Sequence, residues 1–227
     1  MLKKFDVIIL SGGKGTRVKK YTKKIPKCLI NINGKPFLFY QLKYLKKYKF
    51  RNVIISSCYM SEKIKKYVNN YIDFINIKIV DDGKPLGTGG AVVKSLRHMK
   101  KNFFIIYGDS YLNFNLNKMK NKNCNAIMAI FKNKNRYDKS NVRLKNKSII
   151  YEKNTSSNTN FDYIDYGASY VNKKIFEKMP KNKKFDLSIL LQNISKKNKL
   201  SGYIVKKRFY EIGSYKGIKD FKSYLNR

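Results

Sequence analysis

Phe5 to Leu10 (FDVIIL) is an unbroken apolar run of strand length, and it stops at Ser11-Gly12-Gly13-Lys14-Gly15-Thr16-Arg17, which no strand can accommodate. A buried strand that runs into a glycine-rich, cationic loop points to an open α/β sheet, because such sheets bind ligands at the carboxyl ends of their strands. The next segments keep that alternation. Pro36 opens a stretch with apolar Phe37, Leu38, Leu42, Leu45 and Tyr48, a helical spacing with proline in the first turn, where its missing N–H costs nothing. Val53 to Ser57 reads as a strand, Ser61 as the cap of a helix towards Tyr71, and the alternating Ile75, Ile77 and Ile79 as a further strand. Gly87 to Gly90 precede a helix expected from Ala91 to about Met99, and the apolar Phe103 to Tyr107 ends in Gly108-Asp109.

Beyond residue 110 strands dominate: Ala126 to Phe131, Asn141 to Leu144, Ser148 to Glu152 and Asp165 to Val171. A helix near Phe185 to Ile194 follows, then Leu200 to Val205, Phe209 to Ile212 and a closing helix after Ser214. The expected class is α/β, a mainly parallel sheet with a mixed edge and helices on both faces. With 227 residues and no repeat or linker, the chain is expected to form a single domain, with a loop over Asn154 to Asn160.

Hydrophobic residues make up 42% of the chain, enough to exclude global disorder. Met1 to Leu10 lack the features of a signal peptide and no apolar run approaches membrane-spanning length, so a cytoplasmic location is expected. Cys28, Cys58 and Cys124 are far apart, without CxxC or a nearby His, and are expected to be buried thiols. The formal charge of +37 would suit a polyanion partner, but Lys is spread through the chain beside abundant Asn, Ile and Tyr rather than gathered in a stripe. Compositional bias is the favoured explanation, and no specific nucleic acid is expected.

The loop after the first strand has the chemistry of a phosphate cradle: glycines admit close backbone approach, and Lys14 and Arg17 add charge. It is neither a Walker A sequence nor GxGxxG, since Val18 stands at the third glycine position. A tight surface turn would serve this segment equally well on physical grounds alone.

Leu10-Ser11-Gly12-Gly13-Lys14-Gly15-Thr16-Arg17, followed by Ile25-Pro26-Lys27-Cys28-Leu29, resembles the two-part LAGGxGTRL…PKPL signature of the sugar-1-phosphate nucleotidylyltransferases. Leu86-Gly87-Thr88-Gly89-Gly90-Ala91, Tyr107-Gly108-Asp109, Tyr151-Glu152-Lys153 and Phe209-Tyr210-Glu211-Ile212-Gly213-Ser214 resemble later motifs of that family, in the same order. The resemblance implies a Rossmann-like nucleotide-diphospho-sugar transferase fold, with residues 1–110 as the nucleotide half and 111–227 as the sugar half. It implies transfer of a nucleoside monophosphate from GTP, CTP or UTP to a sugar 1-phosphate, with Mg²⁺ as cofactor. By its short length the chain resembles the branch that contains the heptose-1-phosphate guanylyltransferases and the muramate-1-phosphate uridylyltransferases, and its Lys207-Arg208-Phe209-Tyr210-Glu211-Ile212-Gly213 ending leans towards the former, which implies GDP-heptose or a related surface-polysaccharide precursor as product.

Carried over residue by residue, the resemblance makes Arg17 and Lys27 catalytic. Leu10, Gly12, Gly13, Gly15, Thr16, Gly87, Thr88 and Gly89 would bind nucleotide. Asp109, Asn141, Glu152, Lys153, Tyr166 and Gly167 would bind substrate, and Asp109 with Glu211 would hold the metal. The chemistry agrees: two polyanions must meet, so positive charge and in-line positioning are the main needs. A sugar phosphate with a second pKa near ~6 needs no general base, and the lone His98 is expected to be structural. Mg²⁺ takes one or two carboxylates plus phosphates. Glu211 stands where the family usually has Asp, and Asn141 where it usually has Gly. Three other readings stay open: a cytidylyltransferase for phosphocholine or a similar small alcohol phosphate, a catalytically silent sugar-nucleotide-binding regulator, and a basic nucleic-acid-binding protein.

Overall fold

The computed structural model describes residues 4–121, 123, 125–146, 148–153 and 160–227. In chain order its elements are β1 (Phe5–Leu10), α1 (Lys19–Thr22), β2 (Asn31–Ile32), β3 (Lys35–Pro36), α2 (Phe37–Lys47), β4 (Asn52–Ser57), α3 (Ser61–Tyr71), β5 (Asn76–Asp81), α4 (Gly87–Ser95) and β6 (Met99–Tyr107). There follow β7 (Ser110–Tyr111), β8 (Ala126–Lys132), β9 (Val142–Lys145), β10 (Ser148–Tyr151), β11 (Tyr163–Asn172), α5 (Leu187–Lys196), β12 (Leu200–Val205), β13 (Tyr210–Glu211) and α6 (Tyr215–Leu225).

The main sheet runs β10-β9-β11-β6-β1-β4-β5, with β8 pairing β11 and β12. Its nucleotide-side strands β6, β1, β4 and β5 are all parallel, as helical crossovers require. Val7, Ile8 and Ile9 are fully buried at its centre, which explains the unbroken apolar run: a strand covered on both faces has no polar side. β11 turns the sheet mixed by running antiparallel to β6, β8 and β9. Among the described residues no helix is long and apolar enough to cross a membrane.

Two apolar clusters lie on either side of the sheet, one around Leu38, Leu42, Leu45, Phe104 and Tyr166, the other around Val92, Phe103, Phe176, Leu187 and Leu191. A third, built on Val18, Ile30, Phe37, Ile212, Ile218 and Phe221, clamps the N-terminal loops to α6. The closing helix thereby holds the loop that follows β1.

Three expectations need correction. Gly87 to Gly90 lie inside α4 rather than ahead of it, because the backbone of 183–185 packs on them: Phe185 O accepts from Gly89 N at 3.0 Å and from Gly90 N at 3.3 Å. β6 starts at Met99, four residues earlier than the apolar run, since polar Lys100 to Asn102 can extend a strand whose ends reach solvent. Cys28 is buried but Cys58 is only partly so; Cys124 and positions 154–159 of the expected loop lie outside the described residues.

At the end of β6, Gly108 N donates to Leu10 O at 2.9 Å. A methyl group there would meet Leu10 O at 2.5 Å and Ser11 Oγ at 2.4 Å. Gly108→Ala is therefore expected to cost about 1–3 kcal/mol by overpacking, read as a lowered Tm in thermal unfolding.

Candidate active site

The carboxyl ends of β1, β4, β5 and β6 gather the loop 11–17, Cys58, Asp82 and Asp109 on one edge of the sheet. Gly15 adopts φ +67, a left-handed conformation suited to glycine, and Thr22 Oγ1 ties the loop by donating to Gly15 O at 3.1 Å and Val18 O at 3.3 Å. Buried Val18 anchors the turn that carries exposed Arg17. Among the described residues the N–H groups of Gly12 to Gly15 enter no intramolecular hydrogen bond, so they are available to phosphate oxygens.

Lys27 follows extended Pro26 in a single 3₁₀ turn, held from behind by buried Cys28. Its Nζ lies 2.8 Å from Asp109 Oδ2. Asp109 is placed by the corner between β6 and β7, which buried Gln41 pins by donating from Nε2 to Tyr107 O at 3.0 Å and Ser110 O at 2.9 Å. Glu211 arrives from the far end of the chain because β13 pairs antiparallel with β7, Glu211 opposite Ser110, and Ile212 N donates to Asp109 O at 2.9 Å.

These side chains converge on Gly213. A methyl group there would lie 2.9 Å from Arg17 Nη2, 2.9 Å from Glu211 Oε2 and 3.3 Å from Asp109 Oδ2. Burial raises the pKa of Glu211, and the neighbouring Asp109 charge adds to the rise, against hydrogen bonds from Ser214 and Gly213 and the Arg17 charge. Two carboxylates side by side, next to a loop with N–H groups unpaired among the described residues, are a donor set that fits Mg²⁺, an ion that completes its shell with phosphate oxygens and water. Among the described residues no group of three or more His, Cys, Asp or Glu forms a closed metal cage.

On the sugar side, Asn141 Oδ1 accepts from Asp165 N at 2.9 Å, and Asn141 O accepts from Glu152 N at 3.0 Å, so Asn141 fastens Glu152 and Asp165 to one another. Gly167 N donates to Asp165 Oδ1 at 2.9 Å and Tyr107 OH to Oδ2 at 3.1 Å, while burial pushes the Asp165 carboxyl up to about 6. Lys153 Nζ pairs with Asp186 Oδ2 at 2.8 Å.

Not every expected residue faces this edge. Tyr166 is buried under Phe114 and Phe209, and its hydroxyl donates to the carbonyls of Lys207 and Arg208. Side chains alternate along a strand, so Tyr166 points away from the face carrying Asp165 and into the apolar cluster behind it. Thr88 Oγ1 accepts from Leu187 N at 2.8 Å, and the Phe185 ring covers Gly89, so both join α4 to α5. Leu10, Gly12, Gly13, Thr16 and Gly87 remain on or beside the carboxyl edge.

Asp82 went unread in the sequence. It caps β5 beside Gly12, with Oδ2 3.6 Å from a methyl placed there, and is 5% exposed. Its described hydrogen-bond donor is Ser56 Oγ, at 3.3 and 3.4 Å. Burial pushes its pKa up to about 6. An acid at the end of a strand, four residues before Leu86 in a chain with 14 acids, was the available signal.

The nucleotidyl transferase family model matches residues 6–215. The chain belongs to the nucleotidyl transferase family. It is 34% identical over 210 residues to a D-glycero-α-D-manno-heptose 1-phosphate guanylyltransferase of Campylobacter jejuni, covering 92% of this chain and 94% of that one. It is 32% identical to the enzyme of the same name from Aneurinibacillus thermoaerophilus, covering 92% and 93%. The crystal structure of HddC from Yersinia pseudotuberculosis complexed with GMP-PN superposes with a TM-score of 0.80 at 25% identity, over 97% of this chain and 99% of that one. The reaction class read from the motifs, nucleotidyl transfer to a sugar 1-phosphate, stands for this family member.

The folded Asp82 carboxyl titrates near about 6, above its unfolded value. Its contribution to stability is thus fully present below about pH 4 and lost as pH rises through 6, because ionisation then occurs in a buried place. Asp82→Asn is expected to raise Tm by roughly 2–4 °C at pH 7.5 and by nothing at pH 4, checked by calorimetry across that range.

Proposed function

We propose that this protein transfers GMP from GTP to a heptose 1-phosphate, releasing pyrophosphate, in the cytoplasm and with Mg²⁺. The observation that carries the reading is the convergence of Arg17, Asp109 and Glu211 on Gly213, with Lys27 paired to Asp109.

The attacking sugar phosphate and the triphosphate are both anionic, so the barrier is largely electrostatic and positional. Loop N–H groups receive the β- and γ-phosphates, with Arg17 over the departing pyrophosphate. Lys27, fixed by Asp109, neutralises charge where the acceptor oxygen meets the α-phosphorus. That oxygen forms its bond to phosphorus as the bond to pyrophosphate breaks, and an already ionised phosphate has no proton to shed. Mg²⁺ held by Asp109 and Glu211 would supply further charge neutralisation. Glu152 and Asp165 accept from sugar hydroxyls, and Lys153 meets the sugar phosphate by leaving Asp186.

Guanine is favoured for two reasons. Two relatives that match this chain at 34% and 32% identity over 92% of its length are guanylyltransferases by name, and Asp82 offers a buried acceptor-only carboxylate beside Gly12. Guanine N1–H and N2–H are adjacent donors that such a group can accept together, whereas adenine, cytosine and uracil each present an acceptor next to a donor.

A panel of the four NTPs with heptose, mannose and glucose 1-phosphates and phosphocholine, followed by pyrophosphate release, tests this. GTP with a heptose 1-phosphate is expected to give the highest kcat/KM, and Arg17→Ala and Lys27→Ala to lower kcat by about 10²–10³-fold each. Asp82→Asn is expected to lower kcat/KM for GTP far more than for the other nucleotides. Turnover with CTP or UTP alone would sink the guanine assignment; no turnover with any pair, and no effect of Asp109→Ala, would sink the enzyme reading.

A further inference from the structure

Glu211 carries one methylene more than an aspartate, yet its carboxylate must share a small space with Asp109 and Arg17. It does so by folding back on the turn that follows it. Gly213 N donates to Oε2, and Ser214 Oγ donates to Oε1. Ser214 has a second task as the N-cap of α6, where its Oγ accepts from Gly217 N at 2.9 Å. The same hydroxyl therefore uses its hydrogen on Glu211 and a lone pair on the helix. Gly217 supplies the room: a methyl group on it would lie 1.8 Å from Glu211 Oε1 and 2.4 Å from Cδ, as well as 2.5 Å from the Glu211 carbonyl oxygen. The folded carboxylate occupies the place of a side chain at 217.

We propose that Ser214 and Gly217 are positioning residues that form a seat for Glu211, holding Oε1 against α6 so that Oε2 faces Asp109. The seat suits the longer acid. An aspartate at 211 stops one methylene short of the Ser214 hydroxyl and loses its anchor. The inference rests on the reading of Glu211 as a metal ligand given above, and it concerns how this chain places a glutamate there.

Mn²⁺ binding followed by electron paramagnetic resonance, with and without GTP, and metal-free Tm separate orientation from folding. Ser214→Gly keeps a tolerated helix cap, so Tm is expected to fall by less than about 2 °C. Mn²⁺ affinity is expected to fall about 10- to 100-fold, the range for loss of a partner that orients a metal ligand. Ser214→Thr restores the hydroxyl and is expected to recover Mn²⁺ binding to within about threefold of wild type. Glu211→Asp, though chemically conservative, is expected to weaken Mn²⁺ binding rather than tighten it, and Gly217→Ala to weaken it while also lowering Tm. Wild-type protein that binds Mn²⁺, with Ser214→Gly and Glu211→Asp binding it equally well, would overturn the positioning role and leave the enzyme reading intact. Wild-type protein that turns over substrate but binds no Mn²⁺ would overturn the proposal along with the metal assignment.

Discussion

Two residues of strand pairing hold this site together. β7 and β13 are only Ser110–Tyr111 and Tyr210–Glu211, yet their ladder sets Glu211 beside Asp109 from opposite ends of the sugar-side sequence. So short a ladder is not stable alone. It persists because each end is fastened elsewhere: the Asp109 corner by buried Gln41 and by Gly108 against Leu10, and the Glu211 turn by Ile212, which is fully buried with Val18, Ile30 and Phe221. The apolar cluster that closes the chain is also the one that fixes Arg17, so stability and catalytic geometry share the same contacts.

That arrangement solves an electrostatic problem. Asp109 and Glu211 repel one another, and burial of Glu211 sharpens the cost. Lys27 and Arg17 offset it, Lys27 by direct contact with Asp109 and Arg17 by lying over Gly213. Each cation is thereby held beside a carboxylate at the end of the loop 11–17 and its neighbouring turn. Exposed surface lysines gain little from such pairs, but at this half-enclosed edge orientation matters more than net attraction, because bringing two anions together demands charges that need not reorganise.

The sequence was legible where one physical demand dominated. The buried centres of β1 and β6, Val7 to Ile9 and Phe103 to Ile106, announced themselves as apolar runs, and the order of glycine loop, Lys27, Asp109 and Glu211 survived into a real cluster. Legibility failed where a residue's neighbour comes from a distant segment. Nothing local says that Phe185 will cover Gly89, that Leu187 N will claim the Thr88 hydroxyl, or that Tyr166 will bond to the carbonyls of Lys207 and Arg208. Tyr166 also shows the limit of a motif: it lies between Asp165 and Gly167 in sequence, but strand alternation turns it to the other face. Asp82 was missed because a single acid beside Asp81 in a loop-like segment has the appearance of a turn.

The lysine-rich composition makes the placement of acids informative in its own right. With 51 basic residues against 14 acidic ones, an exposed carboxylate has many cations to meet, and no single partner needs design. A buried or half-buried carboxylate is different, since it carries a desolvation cost unless specific donors surround it. Asp82, Asp165 and Glu211 all bear that cost, as their raised pKa values record, and Asp109 sits with Glu211 in the same small space. All four lie at the edge where β1, β5, β6 and β11 bring the loop 11–17 and the sugar-side strands together. Stability would favour amides or apolar groups at such positions, so carboxylates there fit the proposed roles, Asp82 and Asp165 as acceptors from a base N–H and a sugar hydroxyl, and Asp109 and Glu211 as oxygen ligands to a metal. In a chain biased so strongly towards cations, the costly anions are thus gathered at the edge that carries the glycine loop.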